Sequence, residues 1–259
     1  MKRSKLLILL IVIPVLMSHS VWIYVNNTGK IGSKAIVNMY FGEIRKQVIE
    51  KGLKWYEGAI FKEFKAYVKP HSSLNKEALL LTPSKESLSA VFTPKRAGIY
   101  QIIAFNETGT VKDYTKHGLG LLKDSTYLRT TFEATSWREK QKGEVNLSPM
   151  MKYDIVPFPA KNGYGNYNSH KATWRVKEKV FAVFYIDGKV AIQKEIKVYS
   201  PDGWISIAKT DKNGLFNFTP YVKGTYQAIY QTEKKISGVY KGKKYNTTRV
   251  KVITNLNIE

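Results

Sequence analysis

From residue 178 onward the chain alternates apolar and polar positions with a period of two. Ile196 and Val198 alternate with Lys197 and Tyr199, and Ile205 and Ile207 alternate with Ser206 and Ala208. That spacing puts the apolar groups on one face of a strand. The dipeptides Asp187-Gly188, Asp202-Gly203 and Asn213-Gly214 fall between the runs and predict tight turns. With the closing runs 224–231 and 245–256, residues 178–259 predict about seven short strands, the pattern of an immunoglobulin-like sandwich.

The N-terminal half carries the same signal less regularly. Val21, Ile23 and Val25 alternate with Trp22 and Tyr24, and a second run follows at 36–41. Between Glu43 and Tyr67 the pattern is mixed, since Ile44, Val48 and Ile49 fit a helical stripe while 59–68 fits a strand equally well, so a short helix is open there. Residues 127–137 read as a strand, and the Gly/Asn/Tyr-rich 161–169 as a loop.

An internal repeat joins the halves. Phe92-Thr-Pro-Lys-Arg-Ala-Gly98-Ile-Tyr100-Gln101 matches Phe218-Thr-Pro-Tyr-Val-Lys-Gly224-Thr-Tyr226-Gln227 at six of ten positions without a gap. A strand ending in Phe, a Pro-marked turn, a Gly free to adopt positive φ and a new strand opening on Tyr account for the pattern. The expected fold is therefore mostly β, with two immunoglobulin-like or carboxypeptidase-regulatory-like sandwich units. Their expected boundaries are 19–110 and 178–259, with 111–177 connecting them.

Ahead of these units lies a basic start (Lys2, Arg3, Lys5), an apolar run over 6–17 and a small polar patch, Ser18-His19-Ser20. This order is that of a secretory signal peptide. As a helix the run would span roughly 18 Å against a hydrocarbon core of about 30 Å. The expectation is cleavage, before His19 or before Val21, and a periplasmic or extracellular protein; the other reading is an uncleaved anchor extended by residues 21–25.

Composition narrows the chemistry. The chain has no cysteine, which removes disulfides, thiolate metal sites and cysteine nucleophiles. The net charge is +22, or +19 without Lys2, Arg3 and Lys5, and the basic residues are scattered singly along strand-like segments. Read alone they form a solvated face. Read together they attract anionic envelope material such as lipid head groups or acidic polysaccharide. No nucleic-acid-binding motif is present, so nucleic acid is not an expected partner. Neither a phosphate-binding Gly-rich loop nor a Gly-x-Ser-x-Gly elbow occurs, and the expectation is a protein that is not an enzyme.

Metal chemistry would fall to histidine. Cleavage before His19 would leave a free α-amine beside an imidazole, a pair suited to nickel, cobalt or copper. Further ligands would have to come from His71, His117, His170 or Glu43. His71 in Lys-Pro-His-Ser-Ser and His117 before Gly118 also read as turn residues. Asp211-Lys212-Asn213-Gly214 reads as a hairpin turn, since it lacks the recurring acidic ligands of a calcium loop. Tyr164, Tyr167 and Trp174 could form a sugar-stacking platform, whereas core packing is the ordinary role of such aromatics.

Several of these stretches together resemble a periplasmic domain-of-unknown-function family associated with nickel and cobalt uptake. The matching features are the His19-Ser20-Val21-Trp22 start, the turn from Phe92 to Tyr100 and Asp154-Ile155-Val156-Pro157. Asp187-Gly188-Lys189 and Thr210-Asp211-Lys212-Asn213-Gly214 followed by Phe216 complete the set. The resemblance implies an exported two-part β-sandwich protein, sometimes encoded with metal-uptake machinery, and direct metal binding does not follow from it. The leading expectation is an accessory or substrate-binding component of nickel or cobalt uptake near a membrane transporter. The alternative expectation is a structural or adhesive envelope module that binds polysaccharide or protein.

Overall fold

The computed structural model describes residues 19–43, 48–58, 61–136, 148–158 and 172–259. The proposed signal peptide, the 161–169 loop, Tyr164, Tyr167 and His170 lie outside them. Among the described residues the protein is almost entirely β, as its alternation predicts, and no helix is long and apolar enough to cross a membrane. The ambiguous stretch after Glu43 contains one short helix, Leu53–Tyr56, ahead of a strand that begins at Lys65.

Two sets of seven strands build the fold among the described residues, with seven further strands of two or three residues beside them. The first set is β1 (His19–Val25), β2 (Ala35–Glu43), β3 (Lys65–Pro70), β4 (Glu77–Leu79), β5 (Leu88–Phe92), β6 (Gly98–Tyr114) and β7 (Gly120–Thr135). The second is β8 (Tyr153–Pro157), β9 (Val180–Ile186), β10 (Glu195–Tyr199), β11 (Ile205–Lys209), β12 (Leu215–Phe218), β13 (Gly224–Lys234) and β14 (Thr247–Ile258). Strands β1-β2-β5 form one outer sheet, and β8-β9-β12 form the other. The remaining eight join in a single sheet in the order β11-β10-β13-β14-β7-β6-β3-β4. Each half thus repeats one strand order.

The segment expected to connect two separate units is instead part of both. Residues up to Thr135 complete the first half, and Tyr153–Pro157 opens the second. The halves meet where β7 and β14 pair in parallel, from Leu122 opposite Thr247 to Arg129 opposite Thr254. Placing two equivalent strands side by side in parallel turns one half over relative to the other, so the outer sheets cover opposite faces of the shared sheet. The cores show this directly. Ala104, Leu128 and Ile253 face the first core, while Ile103, Tyr127 and Val252, one residue away, face the second. Every residue from Lys251 to Ile258 is buried, as expected of a strand covered on both sides.

The repeated motif marks the corner at which each half crosses from its outer sheet to the shared sheet. Gly98 and Gly224 sit at φ 129° and 128°, backbone that a side chain would strain. The hydroxyl of Tyr100 accepts from the N–H groups of Lys95 and Arg96, both at 3.1 Å. That of Tyr226 accepts from Tyr221 and Val222 at 3.1 and 3.2 Å. Phe92 and Phe218 lie against these rings at 5.7 and 5.6 Å. Such a tyrosine ties the turn's donors to the sandwich in place of water.

One buried ion pair links the halves across the layers. Arg129 of β7 donates from Nε and Nη2 to both carboxylate oxygens of Asp154 in β8, at 2.7 and 2.6 Å, and both side chains are fully buried. Gln101 Oε1 accepts from Nη1 at 2.7 Å, and the Met150 N–H donates to Asp154 at 2.8 Å. Removing one partner strands the other charge in the core. Asp154→Ala is expected to cost about 3–5 kcal/mol, read as a lowered urea midpoint. The double change Arg129→Met with Asp154→Leu should recover most of that loss.

Candidate anion-binding site

Along one face of the shared sheet the first core gives way to charge. In register on β7 and β14, Leu128 opposite Ile253 is followed by Thr126 opposite Lys251, then Asp124 opposite Arg249. These polar pairs border a cavity of about 120 Å³, closed by Ser20 and Val21 of β1, Phe41 of β2, Phe64, and Lys112 and Tyr114 of β6. A register shift in the β6–β7 pairing between Asp124 and Thr126 lies at this point. Gly109 is required beside it, because at φ 67° a Cβ would come within 2.0 Å of the Asp124 carbonyl oxygen. Bulges of this kind re-aim side chains at a sheet's working face.

The electrostatics are uneven. Asp124 takes a two-pronged contact from Arg249, Nε to Oδ1 at 2.5 Å and Nη2 to Oδ2 at 2.7 Å. Lys112 Nζ adds a third bond to Oδ2 at 3.3 Å. Burial would raise the Asp124 carboxyl, but the Arg249 hydrogen bonds and the charges of Lys112, Arg249 and Lys251 outweigh it, so its pKa is lowered. Lys251 is the unmatched member. It is 9% exposed, and Nζ donates to Ser20 Oγ at 3.2 Å with no ion pair among the described residues. Burial, reinforced by the Arg249 charge, pulls its pKa down to about 8, with Asp124 opposing. At neutral pH it is still mainly an ammonium. Three cations and the Asp124 carboxylate therefore line a small recess, with Glu233 3.8 Å from Arg249 as the second carboxylate of the cluster, an arrangement suited to an anion that accepts from Lys251.

The residues expected as metal ligands are placed as follows. His19 and Glu43 are cross-strand partners at the end of the β1–β2 pair. His71 lies elsewhere: its N–H donates to the Ile99 carbonyl at 2.8 Å, and Nδ1 is 3.3 Å from the same oxygen. Ile99, the second residue of β6, lies seven residues before Asn106, which also lines the cavity, roughly 23 Å along the strand. His117 falls in the Thr115–His117 turn beyond the other end of β6. The backbone register thus sets His19 opposite Glu43, with His71 and His117 at the two ends of β6. Among the described residues no three His, Cys, Asp or Glu side chains gather as a metal-holding group.

Two other candidates resolve locally. Asp211 Oδ1 accepts the N–H groups of Asn213 and Leu215 at 2.8 and 2.9 Å, the work of a turn residue. Trp174 is buried at the edge of the second core with Nε1 donating to the Phe158 carbonyl at 3.1 Å, so it presents no open stacking face. Sequence reading missed the cavity residues because Arg249, Lys251 and Lys112 look like any basic residue spaced by two on a strand. The overlooked signal is that Arg249 and Lys251 share parity with Ile253, which points the charges inward.

Comparison with protein-family models and with the sequences of curated proteins gives no match.

An unpaired buried ammonium costs stability when charged. The folded pKa of about 8 lies below the ordinary lysine value, so between them the unfolded chain binds the extra proton and stability rises with pH. Lys251→Met is expected to stabilise the protein at pH 7 by about 1–3 kcal/mol. It should also flatten the rise in unfolding free energy between pH 8 and 10 seen with the unaltered chain in urea titrations.

Proposed function

We propose that this protein is an exported, non-enzymatic β-sandwich binding module that takes an anionic group of envelope material into the cavity around Lys251. The observation that carries this reading is the Lys251 ammonium, held in the interior beside Arg249 and Lys112, which share Asp124, with Glu233 3.8 Å from Arg249 and no carboxylate paired to Lys251 among the described residues. A charge kept inside a fold without an ionic partner is an expense that a bound counter-ion removes. The +22 net charge draws anionic ligands from a distance and supports the same reading.

The experiment is calorimetric titration of the exported chain at pH 7 with acetate, sulfate and phosphate, beside Lys251→Met. Binding of at least one anion in the millimolar range or tighter is expected, weakened tenfold or more by the substitution. Equal binding by both proteins would sink the proposal. Intact mass should place the first residue of the exported chain at His19, since a chain beginning at Val21 lacks the Ser20 hydroxyl to which Lys251 donates.

A second reading rests on the His19–Glu43 pairing. Beside the resemblance to a domain family associated with nickel and cobalt uptake, which does not itself imply metal binding, that pairing supports a metal-binding terminus that serves a membrane transporter. In that reading the α-amine and imidazole of His19 and the Glu43 carboxylate supply the ligands, and nickel, cobalt or copper is the cargo. Titration of the three metals should show binding lost in His19→Ala. Binding weaker than millimolar, or retained in that variant, rejects it.

A further inference from the structure

The cationic cavity does not end at polar walls. Phe64, which closes one side of it, also borders a wider groove of about 630 Å³ formed with Tyr56, Phe61, Leu81, Pro83 and Leu88. The aromatic rings continue from one to the other: Phe61 lies 5.9 Å from Phe64 and meets Phe41, a cavity wall, edge-on at 6.5 Å. We infer that cavity and groove are two parts of one site, and that its ligand is a single-chain alkyl carboxylate. Its carboxylate would lie at Lys251 and its chain along the aromatic groove. This rests on the anion reading above and specifies the ligand for it.

The chemistry of each part selects that ligand. The groove's size suits a small-molecule body, the rings of Tyr56, Phe61 and Phe64 with Leu81, Pro83 and Leu88 supply its apolar walls, and the Tyr56 hydroxyl is already engaged. Tyr56 donates to the Glu50 carbonyl at 2.9 Å and accepts from the Phe41 N–H at 3.4 Å. Glu57 and Lys62 stand exposed at the rim. A sugar lying there would lose more hydrogen bonds to water than the walls return, whereas an alkyl chain loses none. In the cavity Arg249 has committed Nε and Nη2 to Asp124 and has Glu233 3.8 Å from Nη1, and Lys112 is bonded to Asp124. Three cations against two carboxylates leave one positive charge, with Lys251 the donor that has no ionic partner among the described residues. A small monoanionic head matches it. A doubly charged phosphate head would leave one charge uncompensated and close to Asp124.

Acetate, octanoate, decanoate and the neutral decanol, each kept below its aggregation limit, test the inference by calorimetry on the exported chain at pH 7. Affinity should rise with chain length, since each methylene buried adds about 0.8 kcal/mol, roughly fourfold, and decanoate should bind at least tenfold tighter than acetate. Decanol should bind at least tenfold more weakly than decanoate, a gap that closes in Lys251→Met. Leu81→Glu, on the half-buried groove wall, should weaken decanoate fivefold or more and leave acetate unchanged. Decanoate no tighter than acetate would overturn the two-part site while leaving the anion cavity standing. Decyl phosphate binding tighter than decanoate would overturn the choice of head group. Decanol binding as tightly as decanoate, with acetate silent, would remove the anion reading as well.

Discussion

The parallel contact between β7 and β14 is the constraint from which the rest of the architecture follows. Two equivalent strands can lie side by side in parallel only if the halves to which they belong face opposite ways, so each outer sheet covers its own side of the shared sheet. The contact also forces both strands to be covered on two faces, which explains the unbroken burial from Lys251 to Ile258. Polar groups caught in that zone mostly find partners, Gln101 Nε2 and Asn255 Oδ1 being the exceptions among the described residues. Arg129 finds Asp154 and Gln101, and Thr254 donates to the Ile155 carbonyl at 2.7 Å.

The candidate site arises from the same geometry. On one face of β7 and β14 the in-register pairs change from apolar to charged within four residues, and the roof supplied by β1 and β2 continues over both regions. Hydrophobic packing against Ile253 and Leu128 thus fixes the position of Lys251, whose own burial is unfavourable. Core energetics hold a charged group where its local electrostatics would not place it. That is the kind of local conflict expected at a working site.

Much of the architecture was legible in the residues. Alternation at 196–199 and 205–208, the turn dipeptides and the repeated Phe-Thr-Pro to Gly-x-Tyr motif anticipated a mostly β protein and the two corners at Tyr100 and Tyr226. What alternation cannot give is the partner of each strand. Pairing of β7 with β14 joins residues 125 positions apart, and nothing local in 122–129 or 247–254 announces it. Without that pairing, 111–177 reads as a connector. The candidate site was hidden for the same reason. Period two shows that Arg249, Lys251 and Ile253 share a face; only the long-range partner shows that the face points inward. The histidines drew attention because their chemistry is visible residue by residue, whereas a cavity lined by lysine, arginine and serine acquires its meaning from convergence.

The order of strands along the chain also bears on how the protein comes into being. β7, the rim of the first half, pairs with β6 on one side and finds its other long neighbour only in β14, made some 110 residues later along the sequence. Throughout synthesis of the intervening stretch the first half has an open hydrogen-bonding edge and an uncovered row that includes Tyr127. Such an edge invites pairing with another chain. The last long strand is therefore also the seal, and a nascent chain kept extended until it emerges would be spared the hazard that its own architecture creates.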